Sequence, residues 1–270
     1  MKEELEKALI NEIKNNPSCF KEVDESDQTE EICLAAIRVN AYNLSLVKNQ
    51  TEEICLAAVK QKGDVLCYVK EQTEKICKEA VKQNEYAIRY VNNQTHDLCK
   101  IAVKKNGYAL LYIKNKIPEI LKLAVEQNGH ALKYVEDKSE ELCFAAIKQN
   151  PYAIMYVEDQ TERLCITAVK INPDSLTYVK DKTAKVCYEA LRRNFKSIRY
   201  LSDSDLSKKN VSLAVIRAMA TCSNKDIKTL NRIINLFKDD KDIQNIYVKY
   251  NLWKYVDKFK KNNSQYSMLR

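Results

Sequence analysis

The stretch TEKICKEAVKQNEYAIRYV, residues 73–91, decides the fold, because the chain keeps rewriting it. TEEICLAAVKQKGDVLCYV occupies 51–69 and THDLCKIAVKKNGYALLYI occupies 95–113, a period of 22 residues. Working outward, Thr29, Thr51, Thr73, Thr95, Ser139, Thr161 and Thr183 open successive units, and Cys33, Cys55, Cys77, Cys99, Cys143, Cys165 and Cys187 follow four residues on. The remaining unit opens at Ile117 and carries Leu121 in the Cys slot. An Ala holds one slot in all eight units, from Ala36 and Ala58 to Ala168 and Ala190. Tyr holds another from Tyr68 to Tyr200, with Leu46 in the first unit. Self-similarity at a fixed short period is the mark of a repeat architecture.

Each unit reads as two short helices. Ile54, Cys55, Ala58 and Val59 fall on one helical face. Thr51 is a good N-cap, and Glu52 and Glu53 sit where the helix dipole favours negative charge. Lys60 supplies the matching positive end, and an Asn two residues later in most units, such as Asn84 or Asn150, suits a left-handed C′ position. A shorter apolar pattern follows, as in Ala153, Ile154, Tyr156 and Val157, and predicts a second helix.

Composition agrees. Average usage predicts about 19 Gly and about 13 Pro in a chain of this length, whereas its 270 residues hold 3 and 4. That scarcity excludes a strand-and-turn fold, a collagen-like chain and most phosphate-binding loops. Gly63, Gly107, Gly129, Pro151 and Pro173 all take the slot between the two helices, Pro17 follows Asn16 in the same way, and Pro118 stands where a helix loses nothing by lacking an N–H. The apolar share of 45% and charged share of 30% exclude a disordered chain. Leucine-rich repeats have similar periods, but they need alternating Leu and a fixed Asn offset, and here Ala is the fixed residue at helical spacing.

A 22-residue unit cannot bury its own apolar face, so the units must stack. The expected fold is all-α, an α-solenoid of helix-pair repeats with a C-terminal helical cap. Residues 1–28 read as a degenerate capping repeat, 29–204 as eight regular repeats, and 205–270 as a weak further echo plus a cap. The cap's helical patterns run through Ile227 to Phe237 and through Ile243 to Val256, with a frayed tail from Asn262.

The repeated residues read as packing slots. No Cys pair has zinc-ligand spacing, and equivalent atoms of stacked repeats lie about 8–10 Å apart, beyond disulfide reach. Cys is therefore expected as a small buried hydrophobe. Ala is expected where helices approach closely. The Tyr of the second helix is expected with its ring buried, and a base-stacking ladder is the sharper alternative. A second Tyr set, Tyr42, Tyr86, Tyr108 and Tyr152, alternates with Asp64, His130, Asp174 and Lys196 and is expected on the surface.

Charge is unevenly distributed. Residues 1–200 carry 31 Lys and Arg against 30 Asp and Glu, while 201–270 carry 14 against 7. The net charge of +8 thus belongs almost wholly to the last quarter. There Lys249, Lys254, Lys258, Lys260 and Lys261 interleave with Tyr250, Trp253, Tyr255 and Phe259. Such a segment suits nucleic acid, an anionic surface or an acidic partner, and equally a capping helix with solvated lysines.

No nucleotide-binding or zinc-hydrolase motif is present, His96 and His130 have no fixed nucleophile nearby, and carboxylates are spread evenly. Neither an enzyme nor a cofactor or metal site is expected. The start lacks the apolar stretch of a signal peptide, and no run reaches the ~18 residues of a membrane span, so a cytoplasmic, reducing location is expected.

The unit T-E-x-I-C-x-x-A-V-K-Q-N-x-Y-A-I-x-Y-V, read best at 73–91, 95–113 and 139–157, resembles a helical repeat of unknown function abundant in giant DNA viruses of the mimivirus type. The resemblance covers residues 29–201 and implies viral origin and an interaction role, without supplying functional residues. The expected function is a non-enzymatic scaffold that binds another protein along variable slots. One slot runs Leu34, Leu56, Lys78, Lys100, Lys122, Phe144, Ile166, Tyr188, and another Ser45, Cys67, Arg89, Leu111, Lys133, Met155, Thr177, Arg199. Nucleic-acid or anionic-surface association through the basic cap is the alternative, and a structural virion component a third.

Overall fold

A computed structural model describes residues 2–221 and 227–252. They fall into two compact units that meet in sequence between Glu136 and Asp137. Among the described residues every regular element is a helix.

The first unit opens with α1 (Lys2–Asn15) and a 3₁₀ turn (Pro17–Glu22), then runs through α2 (Glu30–Val39), α3 (Glu52–Gln61), α4 (Glu74–Gln83), α5 (His96–Lys105) and α6 (Pro118–Gln127). Each is followed by a six-residue 3₁₀ helix, for example Gly63–Tyr68 after α3 and Glu85–Tyr90 after α4. The second unit holds α7 (Glu140–Gln149), α8 (Glu162–Ile171) and α9 (Ala184–Leu191) with their 3₁₀ partners, then α10 (Asp203–Ser207), α11 (Lys209–Thr221), α12 (Ile227–Leu236) and α13 (Lys241–Lys249).

The second helix of each repeat is therefore 3₁₀, with about three residues per turn and i→i+3 bonds. Six residues is long for that form. Asn starts it: the Asn84 carbonyl accepts from Ala87 N–H at 2.9 Å, while its side-chain Oδ1 accepts from Tyr86 N–H at 3.0 Å. The expected left-handed Asn does not occur there. Asn84 is extended (φ −137°, ψ 116°), and so are its counterparts. One residue thus ends the α-helix, through Asn84 N–H to Ala80 O at 2.9 Å, and caps the next helix. A left-handed turn would spoil that double use by redirecting the side chain. Lys62 copies the backbone (φ −144°, ψ 113°) without the side-chain bond.

At the other end Thr51 Oγ1 accepts from Ile54 N–H at 3.3 Å, and Thr73, Thr95, Ser139, Thr161 and Thr183 repeat that cap. The core repeats too. Ile54, Cys55, Ala58, Val59, Val65, Leu66 and Val69 are all buried, and the Ala slot is closed to solvent in every regular repeat. Full burial of each such Val, Leu or Ile side chain contributes about 1.5–3 kcal/mol. Leu121, the one non-Cys in its slot, is half-buried.

Gly63 and Gly107 answer to proximity, not to unusual φ. A Cβ on either would collide with the carbonyl oxygen of Ala80 or Ala124 in the next repeat. Both glycines donate their N–H at 2.6 Å across the same gap, to Oε1 of Gln83 and Gln127.

In the second unit α11 packs on α9 where the next repeat helix would stand, burying Val211, Ala214 and Val215, the predicted echo. A capping box formed by Ser202 and Asp205 starts α10. Asp205 also lies 3.8 Å from Lys182, both largely buried. The Tyr247 hydroxyl donates to Leu230 O at 2.7 Å and ties α13 to α12. The helix that carries Ile243 and Tyr247 ends at Lys249, two residues before the left-handed Asn251 (φ 57°), and the pattern read on to Val256 lies partly outside the described residues. Cys222, Trp253, Tyr255 and the predicted tail lie outside the described residues.

Candidate interaction surface

A side chain that the sequence pattern left unread joins the repeats. It is the Gln just before five of the capping Thr residues, Thr29, Thr51, Thr73, Thr95 and Thr161. Gln50 Nε2 donates to Leu44 O (3.2 Å) in its own repeat and to Tyr68 O (2.9 Å) in the next, while Oε1 accepts from Lys70 N–H (2.9 Å). Gln72, Gln94 and Gln160 make the same three bonds. Cys55 and Cys77 lie against these amides, their Sγ 3.8 and 3.7 Å from Oε1 of Gln50 and Gln72. Recurrence at Gln28, Gln50, Gln72, Gln94 and Gln160 was the available signal. Lys takes the slot at 116, and its Nζ donates to Tyr134 O at 3.2 Å.

Burial pushes every thiol of the ladder up from the ordinary value, Cys33 and Cys165 to about 11 and Cys187 to about 12. At neutral pH these are protonated, apolar groups and poor nucleophiles. Among the described residues no three His, Cys, Asp or Glu side chains gather as a metal site would require.

The tyrosines are not buried as expected. Tyr68 and Tyr178 are 42% and 40% exposed, and the rest of that set is half-buried. Each closes its 3₁₀ helix, so its ring leaves from the rim while the following extended Val turns inward, as Val69 does. The two Tyr sets meet instead across neighbouring repeats. Tyr42 and Tyr68 pack edge-to-face at 6.5 Å, Tyr86 and Tyr112 at 5.9 Å, Tyr108 and Tyr134 at 6.1 Å, and Tyr152 and Tyr178 at 5.8 Å. Of the set expected on the surface, Tyr42 is exposed and Tyr86, Tyr108 and Tyr152 are half-buried. Their hydroxyls are used: Tyr86 accepts from Asn106 Nδ2 at 2.9 Å and Tyr152 from Asn172 Nδ2 at 3.0 Å.

Where Asp replaces the first Tyr, Arg arrives from the next repeat. Arg89 lies 3.9 Å from Asp64, and Arg199 lies 3.4 Å from Asp174. Cations also cover the rings. Arg89 sits 4.5 Å from the Tyr90 centroid and 5.7 Å from Tyr112, Lys62 lies 5.2 Å from Tyr42, and Arg199 lies 4.7 Å from Tyr200.

The variable slots hold their register. The one running from Ser45 to Arg199 is exposed throughout, with Leu111 and Met155 among its large apolar members. In the slot on the longer helices, Lys78 and Lys122 are exposed, whereas Leu34, Leu56, Lys100, Phe144, Ile166 and Tyr188 are half-buried. Lys100 is held by Glu119 (2.8 Å), which also meets His96 (3.1 Å). The Lys100–Glu119 hydrogen bond raises the Lys100 pKa and lowers that of Glu119. Arg163 covers the Phe144 ring at 4.6 Å. Of the basic cap, Lys249 is exposed beside Tyr250, and Lys254, Lys258, Lys260 and Lys261 lie outside the described residues.

The pattern has relatives. Residues 73–161 match a domain of unknown function, DUF4116. The match comes as three overlapping segments, 73–118, 96–138 and 118–161. Each takes in about two of the 22-residue repeats, and successive DUF4116 segments start about one period apart. The same slots and the same helix pairs extend on both sides of the DUF4116 match, at 29–72 and 162–200. The chain matches no curated protein and no solved structure. Among the described residues no helix is long and apolar enough to cross a membrane.

Proposed function

We infer that this protein is a non-enzymatic scaffold that binds another protein along its repeats. One observation supports this most: the constant polar side chains are spent on bonds within and between repeats, while one variable position stays exposed from repeat to repeat. The Gln, Asn and Thr of these slots, where present, spend their hydrogen bonds on the repeat itself and on its neighbour. Cys67, Arg89, Leu111 and Lys133, at one register position, stand exposed on a frame that does not change around them. A fixed frame with variable exposed positions suits recognition, where loss or gain of a few contacts sets the partner.

The slot on the longer helices is the proposed partner surface, with Leu56, Lys78, Lys100 and Lys122 in the first unit and Phe144, Ile166 and Tyr188 in the second, Lys78 and Lys122 being its exposed cations. The likeness of the repeat to those of giant DNA viruses favours a viral protein acting in host cytoplasm or in the particle. Affinity capture with the full chain tests the scaffold. A protein enriched on wild type and lost on a Lys78→Glu, Lys122→Glu variant supports it. No enrichment over a variant with both variable slots scrambled overturns it.

A further inference from the structure

The exposed tyrosines lie on the 3₁₀ helices, away from the slot just assigned to a protein partner. In the first unit Tyr42 and Tyr68 are each 42% exposed, and Tyr90, Tyr112 and Tyr134, at the register position of Tyr68, are half-buried. Edge-to-face pairing uses one ring's edge, so the faces of that ring stay uncovered by its partner. Lys62, Arg89 and Lys133 stand over or beside these rings at 4.5 to 5.9 Å. Lys48, Lys70 and Lys114 follow the rings into the loops, each two residues past its 3₁₀ helix. Residues 29–136 carry 16 Lys and Arg against 13 Asp and Glu, so this stretch is mildly positive.

We propose that the tyrosine-and-cation face of residues 29–136 binds single-stranded nucleic acid, with about one base per repeat. Two features in register carry this. Aromatic rings recur every 22 residues from Tyr68 to Tyr134, and a base of any identity can stack on them. Cations lie within reach of the same rings, where a phosphate could meet them. An acidic peptide would use the cations and leave the rings idle. The four tyrosines of this slot, Tyr68, Tyr90, Tyr112 and Tyr134, imply a site of about four nucleotides.

The test uses the full chain and a fluorescein-labelled oligothymidine of about twenty nucleotides, followed by anisotropy against salt. Wild type should bind, and more weakly as salt rises. Tyr68→Leu, Tyr90→Leu, Tyr112→Leu together should weaken binding about tenfold or more, with helical circular dichroism retained. Lys254→Gln, Lys258→Gln, Lys260→Gln, Lys261→Gln should leave binding unchanged, and polyglutamate should not compete. Absence of binding at about 50 mM salt, full binding by the Tyr variant, loss in the cap variant alone, or equal competition by polyglutamate would each overturn the proposal. If the Tyr variant fails to fold, ultraviolet cross-linking of the wild-type complex decides. Adducts at Tyr68, Tyr90 or Tyr112 support the face, and adducts confined to residues beyond 200 sink it. Neither result bears on the protein partner of the longer helices, which is read by capture.

Discussion

Gln72 and Tyr90 are eighteen residues apart in sequence, yet the amide of one donates to the backbone carbonyl of the other at 2.9 Å. The same amide accepts from Asn92 N–H at 3.0 Å, so one side chain satisfies both edges of the neighbouring repeat. Gln72→Leu strands a carbonyl and an N–H in a half-buried gap, which costs about 1–3 kcal/mol. Gln72→Glu should be as harmful, because a carboxylate accepts but cannot donate. Gln72→Lys should fall between, as Lys116 keeps the donation to Tyr134 O. Urea midpoints at constant m-value order the three. Equal midpoints for Leu and wild type would remove the clamp's energetic role.

Gly63→Ala tests close approach. Gly63 has an ordinary negative φ, since among the described residues no Gly has a positive one, so a conformational argument predicts stabilisation by Ala. The Ala80 carbonyl predicts the reverse, a loss of about 1–3 kcal/mol from overpacking against backbone. Ala41 shows what the alternative looks like. It fills the same slot, and the facing Gln61 reaches the Arg38 carbonyl at 3.1 Å. A thermal melt of Gly63→Ala that matches or exceeds wild type would refute the crowding.

Lys62→Asn should stabilise. Lys62 already has the backbone of the capping Asn and lacks its side-chain bond. Supplying that bond is worth about 1 kcal/mol, partly offset by loss of the cation over Tyr42. Chemical denaturation at neutral pH measures the balance, and a lower midpoint would contradict it.

Alkaline pH should unfold the protein progressively. Burial holds the Cys33 and Cys165 thiols at about 11 and Cys187 at about 12, above the ordinary 9.0. Above about pH 9 the unfolded chain releases these protons while the folded one keeps them, so stability falls as pH rises. The stabilisation is complete below 9 and lost by about 11 to 12. Each such thiol contributes a slope of about 1.4 kcal/mol per pH unit inside that window. Melting temperatures from pH 8 to 11 should drop less steeply in Cys187→Ala than in wild type. At neutral pH, exposed Cys67 should react with a thiol reagent long before the ladder does.

Asp174 and Arg199 should be coupled. They lie 3.4 Å apart, and Ser197 Oγ donates to the same carboxylate at 3.1 Å. Asp174→Ala should lower stability, and Arg199→Ala in that background should change it less than it does alone. Strict additivity in the double-mutant cycle would show the pair to be independent.

Much of this architecture is written in single-residue slots. Thr51, Ala58 and Asn84 each announce a cap, a close contact or a helix boundary from their own chemistry. What escaped depends on pairs. A 3₁₀ helix and a short α-helix present nearly the same apolar spacing over six residues, and the choice between them follows from Asn84 N-capping directly after α4. Tyr42 and Tyr68 look like two unrelated surface and core slots until the stacking of repeats brings them together. The residue swap betrays the contact in advance: where Asp64 and Asp174 replace Tyr, Arg89 and Arg199 stand 25 residues later, and no other Arg occupies that slot. The Gln clamp was hidden because Lys shares its slot at 116, 138 and 182, which gives it the look of an ordinary polar loop.

The clamp has a consequence for how such a chain grows. Gln50, Gln72 and Gln94 bind the next repeat through a backbone carbonyl and a backbone N–H, groups that almost every amino acid supplies. A repeat therefore asks nothing of its neighbour's side chains at this joint. Gene duplication can splice in another 22-residue unit, or recombination can delete one, and the joint closes again without a matching mutation. Divergence of the exposed positions can follow afterwards, one copy at a time.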